Sequence, residues 1–140
     1  MSNTPTNGPH PEFDGFFANL RAGRLAFPCC RSCTRFHWYP MPLCPHCRGR
    51  DIAWQPVSGR GEIVSFTRVM HPFDAALAGR VPYVVALVAF ADAPGVWLVT
   101  NIAGDSARGL QVGQPVIPEF GIPEFGTGGN GLPIVEFKPA

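Results

Sequence analysis

Apolar positions along the chain follow two rhythms. Near the N-terminus, Phe13, Phe16, Phe17 and Leu20 recur at i, i+3, i+4 and i+7, the stripe of an amphipathic helix over residues 11–23. Pro11 suits a first turn, Glu12 and Asp14 favour the positive end of the helix dipole, and Gly23 supplies a stop. From residue 60 onward the rhythm is that of strands. Gly61–Met70 alternates in part, and Tyr83–Phe90 is apolar almost throughout. Val96–Ile102 follows a Pro94-Gly95 pair that reads as a hairpin turn, and Gln114–Phe120 and Pro133–Phe137 complete five strands. Short strands joined by Gly/Pro turns predict a mainly β fold, with an N-terminal helix and a five-stranded Greek-key barrel of the OB type.

Residues 27–50 obey neither rhythm. Within them, CCRSCTRFHWYPMPLCPHCRGR carries two pairs, Cys30-x2-Cys33 and Cys44-x2-Cys47, ten residues apart. Each pair is a tight turn that aims two thiolates at one centre, and two such turns make a tetrahedral S4 metal site. The segment has few aliphatic residues and three prolines between Pro40 and Pro45, so it cannot bury a core of its own. A structural metal supplies the missing folding free energy, on the order of 10 kcal/mol. Zinc is the expected ion in this rubredoxin-like ribbon, although iron uses the same ligand set. Cys29 offers an alternative to Cys30 at x3 spacing, but x2 matches the second pair. The expected organisation is a tail and helix over 1–26, a zinc ribbon over 27–52 and a barrel over 53–140.

Composition narrows the functional classes. A 140-residue chain with 46% hydrophobic and 15% charged residues is too apolar for disorder, and 16 Gly with 16 Pro argue against a helical bundle. The opening residues lack the basic and apolar regions of a secretory signal, and no apolar run reaches membrane-spanning length. A cytoplasmic protein without a membrane segment is expected, its five cysteines serving metal or free-thiol chemistry. The net charge is +1, yet residues 21–60 hold seven arginines against Asp51 alone. That stretch is where an anion belongs.

OB barrels and zinc ribbons also bind single-stranded nucleic acid, which is the alternative reading. The barrel segment is acidic and the pI is about 7.7, so charge disfavours it. GxSxG, HExxH and close carboxylate pairs are missing from the sequence, so no catalytic residue is expected. A stand-alone enzyme would have to use Cys29 or His71. The tandem IPEFG at 117–121 and 122–126 reads as a lengthened hairpin loop, and the glycine-rich stretch 126–131 lacks the Lys-Ser/Thr of a phosphate loop. The helical stripe of Phe13, Phe16, Phe17 and Leu20 packs either on this chain's core or on a partner.

The order of features resembles a known family. CRSC, LCPHC, Trp54, VSGRGEIVSFTRV, YVVALVAF, VTNI, VGQPV and a closing EFKPA are similar to the zinc-ribbon plus OB-fold family long classed as a domain of unknown function and associated with acyl-CoA metabolism. The likeness runs over roughly residues 11–140, with VSGRGEIVSFT its most specific part. It implies a non-catalytic accessory subunit beside a thiolase, thiolase-like aldolase or hydratase in a hetero-oligomer, helping hold acyl-CoA while the partner performs the chemistry. It also implies that Cys30, Cys33, Cys44 and Cys47 hold the metal.

The residues are compatible with acyl-CoA. Arg31, Arg35, Arg48, Arg50 and Arg60 suit its phosphates, and Phe36, Trp38, Tyr39 or Trp54 could cover the adenine or pantetheine. His71 and Phe73 add a loop position where ligand contacts are common. Relatives often carry Pro-Pro-Arg before the third cysteine, where this chain has Tyr39-Pro40-Met41.

Overall fold

The computed structural model describes residues 11–75, 78–103, 109–121 and 133–140. The first ten residues, the second IPEFG copy and the stretch 126–131 lie outside the described residues. A 3-10 turn at Pro11–Phe13 leads into α1, Asp14–Arg21. The apolar stripe sets its orientation: Phe16 and Leu20 are buried, and Phe13 and Phe17 lie partly covered against the same core.

The chain then forms β1 (Leu25–Cys30) and, after the cysteine loops, β2 (Ile52–Val57). These pair antiparallel from Leu25 opposite Val57 to Cys30 opposite Ile52. Alternation does not reveal β1, because Leu25, Ala26, Phe27 and Pro28 are all buried and a proline sits within the strand. The hairpin reaches Val57.

Five further strands, β3 (Gly61–Val69), β4 (Tyr83–Phe90), β5 (Ala93–Ile102), β6 (Pro115–Gly121) and β7 (Ile134–Pro139), close a barrel in the order β3-β4-β5-β7-β6. This is the expected mainly β, OB-type architecture. Among the described residues only β5 and β7 run parallel, with Ile102 opposite Phe137. The apolar run of β4 is a barrel stave. Val84, Ala86, Val88 and Phe90 point inward and are buried, while the residues between them are half-covered.

One turn differs from expectation. The β4–β5 reversal falls at Ala91–Asp92, and Pro94-Gly95 lies inside β5. The register jumps there, from Ala89 opposite Trp97 to Phe90 opposite Ala93. Gly95 takes φ +86°, and Pro94 needs no ladder partner for an N–H, so the pair makes a bulge rather than a turn.

Ribbon, helix and barrel share one core. Phe27 is fully buried, its ring 5.1 Å from Phe90, which lies 5.9 Å from Phe137 in the barrel. Trp38 packs 5.3 Å from Phe27 and 5.0 Å from Phe16, joining the cysteine loops to α1. The connection out of β2 is pinned where the Ser58 N–H donates to the Asp92 carboxylate at 2.7 Å. On the other side the Trp54 indole lies directly over Gly15, so close that a Cβ there would overlap the ring.

Gly15→Ala therefore sets two effects against each other. Alanine favours the helix by about 1 kcal/mol, and overpacking costs typically about 1–3 kcal/mol. The backbone approach to the indole makes the second larger. Thermal unfolding should show a net destabilisation of about 1–2 kcal/mol, with a shift in tryptophan emission. A neutral or stabilising result would refute this packing.

Candidate metal centre and the surrounding surface

The two cysteine pairs fold into the same local shape. In the first, the Thr34 N–H donates to the Cys30 carbonyl at 2.8 Å and the Cys30 N–H to the Arg35 carbonyl at 3.0 Å. In the second, the Arg48 N–H donates to the Cys44 carbonyl and the Cys44 N–H to the Gly49 carbonyl, both at 2.8 Å. Thr34 and Arg48 each take φ +63°, the left-handed residue that lets each turn double back. Cys30 lies at the end of β1, opposite Ile52 at the start of β2, so the hairpin fixes the base from which both knuckles project.

The four sulfurs converge. Cys30 Sγ is 3.6 Å from Cys47 Sγ, Cys33 Sγ is 3.6 Å from Cys44 Sγ, and all four lie within 4.8 Å of one another. A tetrahedral metal with bonds of about 2.3 Å to sulfur sets its ligands about 3.8 Å apart, so the arrangement fits. Backbone N–H groups support the negative charge, His46 donating to Cys44 Sγ and Gly49 to Cys47 Sγ, each at 3.4 Å. Gly49 has little room for a side chain, since a Cβ would stand 3.2 Å from Cys47 Sγ and 3.5 Å from Cys30 Sγ.

The surroundings of the four thiols are unequal. The Cys33 N–H, with smaller help from Ser32 and the neighbouring thiols, lowers Cys30 to about 7 against the effect of burial. Burial opposes ionisation of Cys44, but the N–H groups of Cys47 and His46 outweigh it and lower its pKa. At Cys47 the Gly49 N–H lowers the pKa, yet the neighbouring sulfur of Cys30 and burial prevail and push it up to about 11. Cys29 stands outside the cluster. Burial, followed by its cysteine neighbours, raises its pKa, which is wrong for a nucleophile.

The other expected site residues are dispersed. Arg31, Arg35, Arg48, Arg50 and Arg60 are all exposed, with Arg31 3.9 Å from Asp51. Phe36 and Trp38 pack against the core, as does Trp54. Phe16 and Leu20 are buried within this chain, which leaves Phe13 and Phe17 as the partly open part of the helical stripe. His71 is exposed and meets Phe73 edge-on at 5.4 Å, and Phe73 is 78% exposed. The length of β3, about 30 Å, separates this pair from Arg60.

His37 is buried with neither ring nitrogen hydrogen-bonded, and burial, then His46, holds its pKa down. Tyr39, one of the aromatics considered for CoA, is exposed, and sequence reasoning passed over its exposed neighbours Met41 and Leu43 as well as Trp97 with Val99. The last pair had a signal, since β5 is apolar on both its faces between Val96 and Val99.

Metal loading must remove protons, and Cys47 with a pKa of about 11 still holds one at neutral pH. Metal affinity should therefore rise between about pH 6 and 8, with at least one proton released per ion in calorimetry across buffers of different ionisation enthalpy. Cys33→Ser should drop metal content well below one equivalent and destabilise the fold by several kcal/mol, on the order seen for structural metal sites. Proton-neutral loading, or full metal content in Cys33→Ser, would exclude this ligand set.

Comparison with known proteins agrees with the geometry. Residues 17–53 match the ChsH2 rubredoxin-like zinc ribbon domain, and residues 54–121 match the ChsH2 C-terminal OB-fold domain. The chain is 32% identical over 117 residues to a probable enoyl-CoA hydratase alpha subunit of Thermomonospora curvata, covering 79% of this chain and 35% of that protein. It thus spans about a third of that curated relative's length. The structure titled Ltp2-ChsH2(DUF35) aldolase matches with a TM-score of 0.77 and 28% identity, over 93% of this chain and 95% of that one. A DUF35-family protein of unknown function from Sulfolobus solfataricus shares the fold, with a TM-score of 0.58, 21% identity and 77% of each chain covered. The two matched domains adjoin and together take in most of the chain, which belongs to the ChsH2-type family of a zinc ribbon followed by an OB-fold barrel.

Proposed function

We propose that this chain is a non-catalytic accessory subunit of an acyl-CoA thiolase or thiolase-like aldolase complex. It binds structural zinc, organises the catalytic subunit in a hetero-oligomer and helps hold acyl-CoA. The observation that carries this reading is the match to nearly the whole of one chain of the Ltp2-ChsH2(DUF35) aldolase. The probable enoyl-CoA hydratase alpha subunit adds that a related unit occurs in a protein named for CoA-thioester chemistry.

The site's chemistry is consistent with a supporting role. Four cysteine ligands would fill the coordination sphere of a tetrahedral metal and leave no position for an activated water. Zinc suits the soft, tetrahedral thiolate set and brings no redox chemistry with it. When bound it supplies only cross-linking. Cys30, Cys33, Cys44 and Cys47 would hold it and so tie the two knuckles together.

The exposed arginines are the groups open to CoA phosphates, whereas Phe36 and Trp38 serve packing. Arg60 precedes β3, beyond the Val57 end of the β1–β2 hairpin and away from the knuckles, and His71 with Phe73 lies past the far end of that strand. The two groups would touch different parts of an assembly rather than one small pocket. Cytoplasmic location fits a thiol-based metal site.

Nuclease-treated affinity purification from the native host, followed by mass spectrometry, tests the reading. A thiolase- or aldolase-like protein should appear in stoichiometric amount, and acyl-CoA turnover should require both chains. In that complex, Arg60→Ala should raise KM for acyl-CoA about tenfold at unchanged kcat, the effect of losing a charge-assisted phosphate contact. Recovery alone or with ribosomal or DNA-processing proteins would overturn the assignment and favour nucleic acid.

A further inference from the structure

An apolar tip projects from the cationic ribbon. Tyr39, Met41 and Leu43 lie on the loop between the knuckles and are 55%, 46% and 37% exposed. Pro40 and Pro42 alternate with them, and Pro45 follows the third cysteine. Fixed φ angles leave this loop little conformational entropy to lose when it is covered. Tyr39 is braced as well, its ring 5.3 Å from Trp38 and 6.2 Å from Phe13. The tip therefore continues onto the partly covered Phe13 and Phe17 of the helix.

Charge decides what fits over it. Arg35, Arg48 and Arg50 are exposed around the knuckles, and the Arg48 N–H to the Cys44 carbonyl keeps that residue within one turn of Leu43. The only acidic residue between 21 and 60 is Asp51, which already faces Arg31. An aromatic and methionine centre with an arginine rim and no lysine has the composition of a protein–protein interface. A second copy of this chain would set these like charges against each other. Nucleic acid fits less well, because Phe36 and Trp38 are committed to the core and Tyr39 alone among the loop aromatics offers an open stacking face.

Resting on the accessory-subunit reading above, we infer that the Tyr39–Leu43 tip seats in an apolar recess with an acidic rim on the catalytic subunit. The prolines present the side chains already ordered, and the arginines steer the approach. Docking of this kind weakens as ionic strength rises.

The test uses the thiolase-type subunit recovered with the wild-type chain as the probe. Wild type and the Met41→Asp/Leu43→Asp double variant are first compared for metal content and thermal unfolding, then titrated against that subunit. The double variant should bind about 100-fold or more weakly at unchanged metal content, as expected for charged groups forced into a hot-spot recess. Wild-type affinity should fall as salt is raised. If the double variant loses metal, Tyr39→Ser is read in the same way. Trp97→Asp, on the exposed outer face of the barrel, should assemble like wild type.

Equal affinity of the tip variants and wild type overturns the docking site while leaving the accessory reading intact. Loss of assembly in Trp97→Asp with retention in the tip variants also overturns it, by moving the interface to the barrel. If the wild type recovers no thiolase-type subunit, the accessory reading fails and this proposal fails with it.

Discussion

Four sulfur atoms held within 4.8 Å impose the constraint on which the ribbon depends. Two thiolates 3.6 Å apart repel by about 4–5 kcal/mol at an effective dielectric of about 20, so four cannot stay ionised together unaided. The thiols divide this burden unequally: the Cys33 N–H brings Cys30 down to about 7, while against the Gly49 N–H the sulfur of Cys30 and burial push Cys47 up to about 11. A divalent cation turns the repulsion into attraction and closes the loops in one step. The polypeptide prepares for it with paired left-handed residues, N–H donors to sulfur and a glycine where no side chain has room.

The consequences run inward from there. The Cys30–Ile52 end of the β1–β2 hairpin adjoins the knuckles, and the same hairpin carries Phe27 and Trp54 toward barrel and helix. Phe27 sits against Phe90, and Trp38 from the loop closes over Phe27 and Phe16. Fully burying each large side chain contributes roughly 1.5–3 kcal/mol, so the metal end and the barrel stabilise each other through a few aromatic contacts. Ribbon and barrel have separate sheets but no separate cores. Neither part has enough apolar surface to spare a boundary between them.

Much of this was legible in the sequence, for identifiable reasons. The CxxC spacing encodes the S4 geometry directly, because each turn needs two intervening residues and nothing from elsewhere in the chain. The Tyr83–Phe90 strand was legible because a long apolar run bounded by turn residues has few other uses. Pro94-Gly95 misled because composition alone does not separate a turn from a bulge. The difference is set by pairing with Phe90 across the ladder, a non-local fact. β1 was hidden because burial on both faces erases alternation. The arginines were visible as a charge excess, but their separation from His71 and Phe73 depends on the direction of β3.

The outer surface shows what the core does not use. On β4 and β5, Leu87 faces Val99 and Ala89 faces Trp97 across the ladder, and Trp97 and Val99 remain more than half exposed. The ribbon tip repeats the theme at the opposite chemical extreme, with apolar side chains set among arginines rather than on an uncharged sheet. The barrel closes on itself, so association through it uses side-chain faces rather than a free strand edge. Of the two faces, only the tip carries its own sign of charge and a backbone stiffened by proline. That combination steers encounter and lowers the entropic cost of docking, so the tip is suited to choosing a partner, whereas the barrel face can at most add area to a complex already oriented.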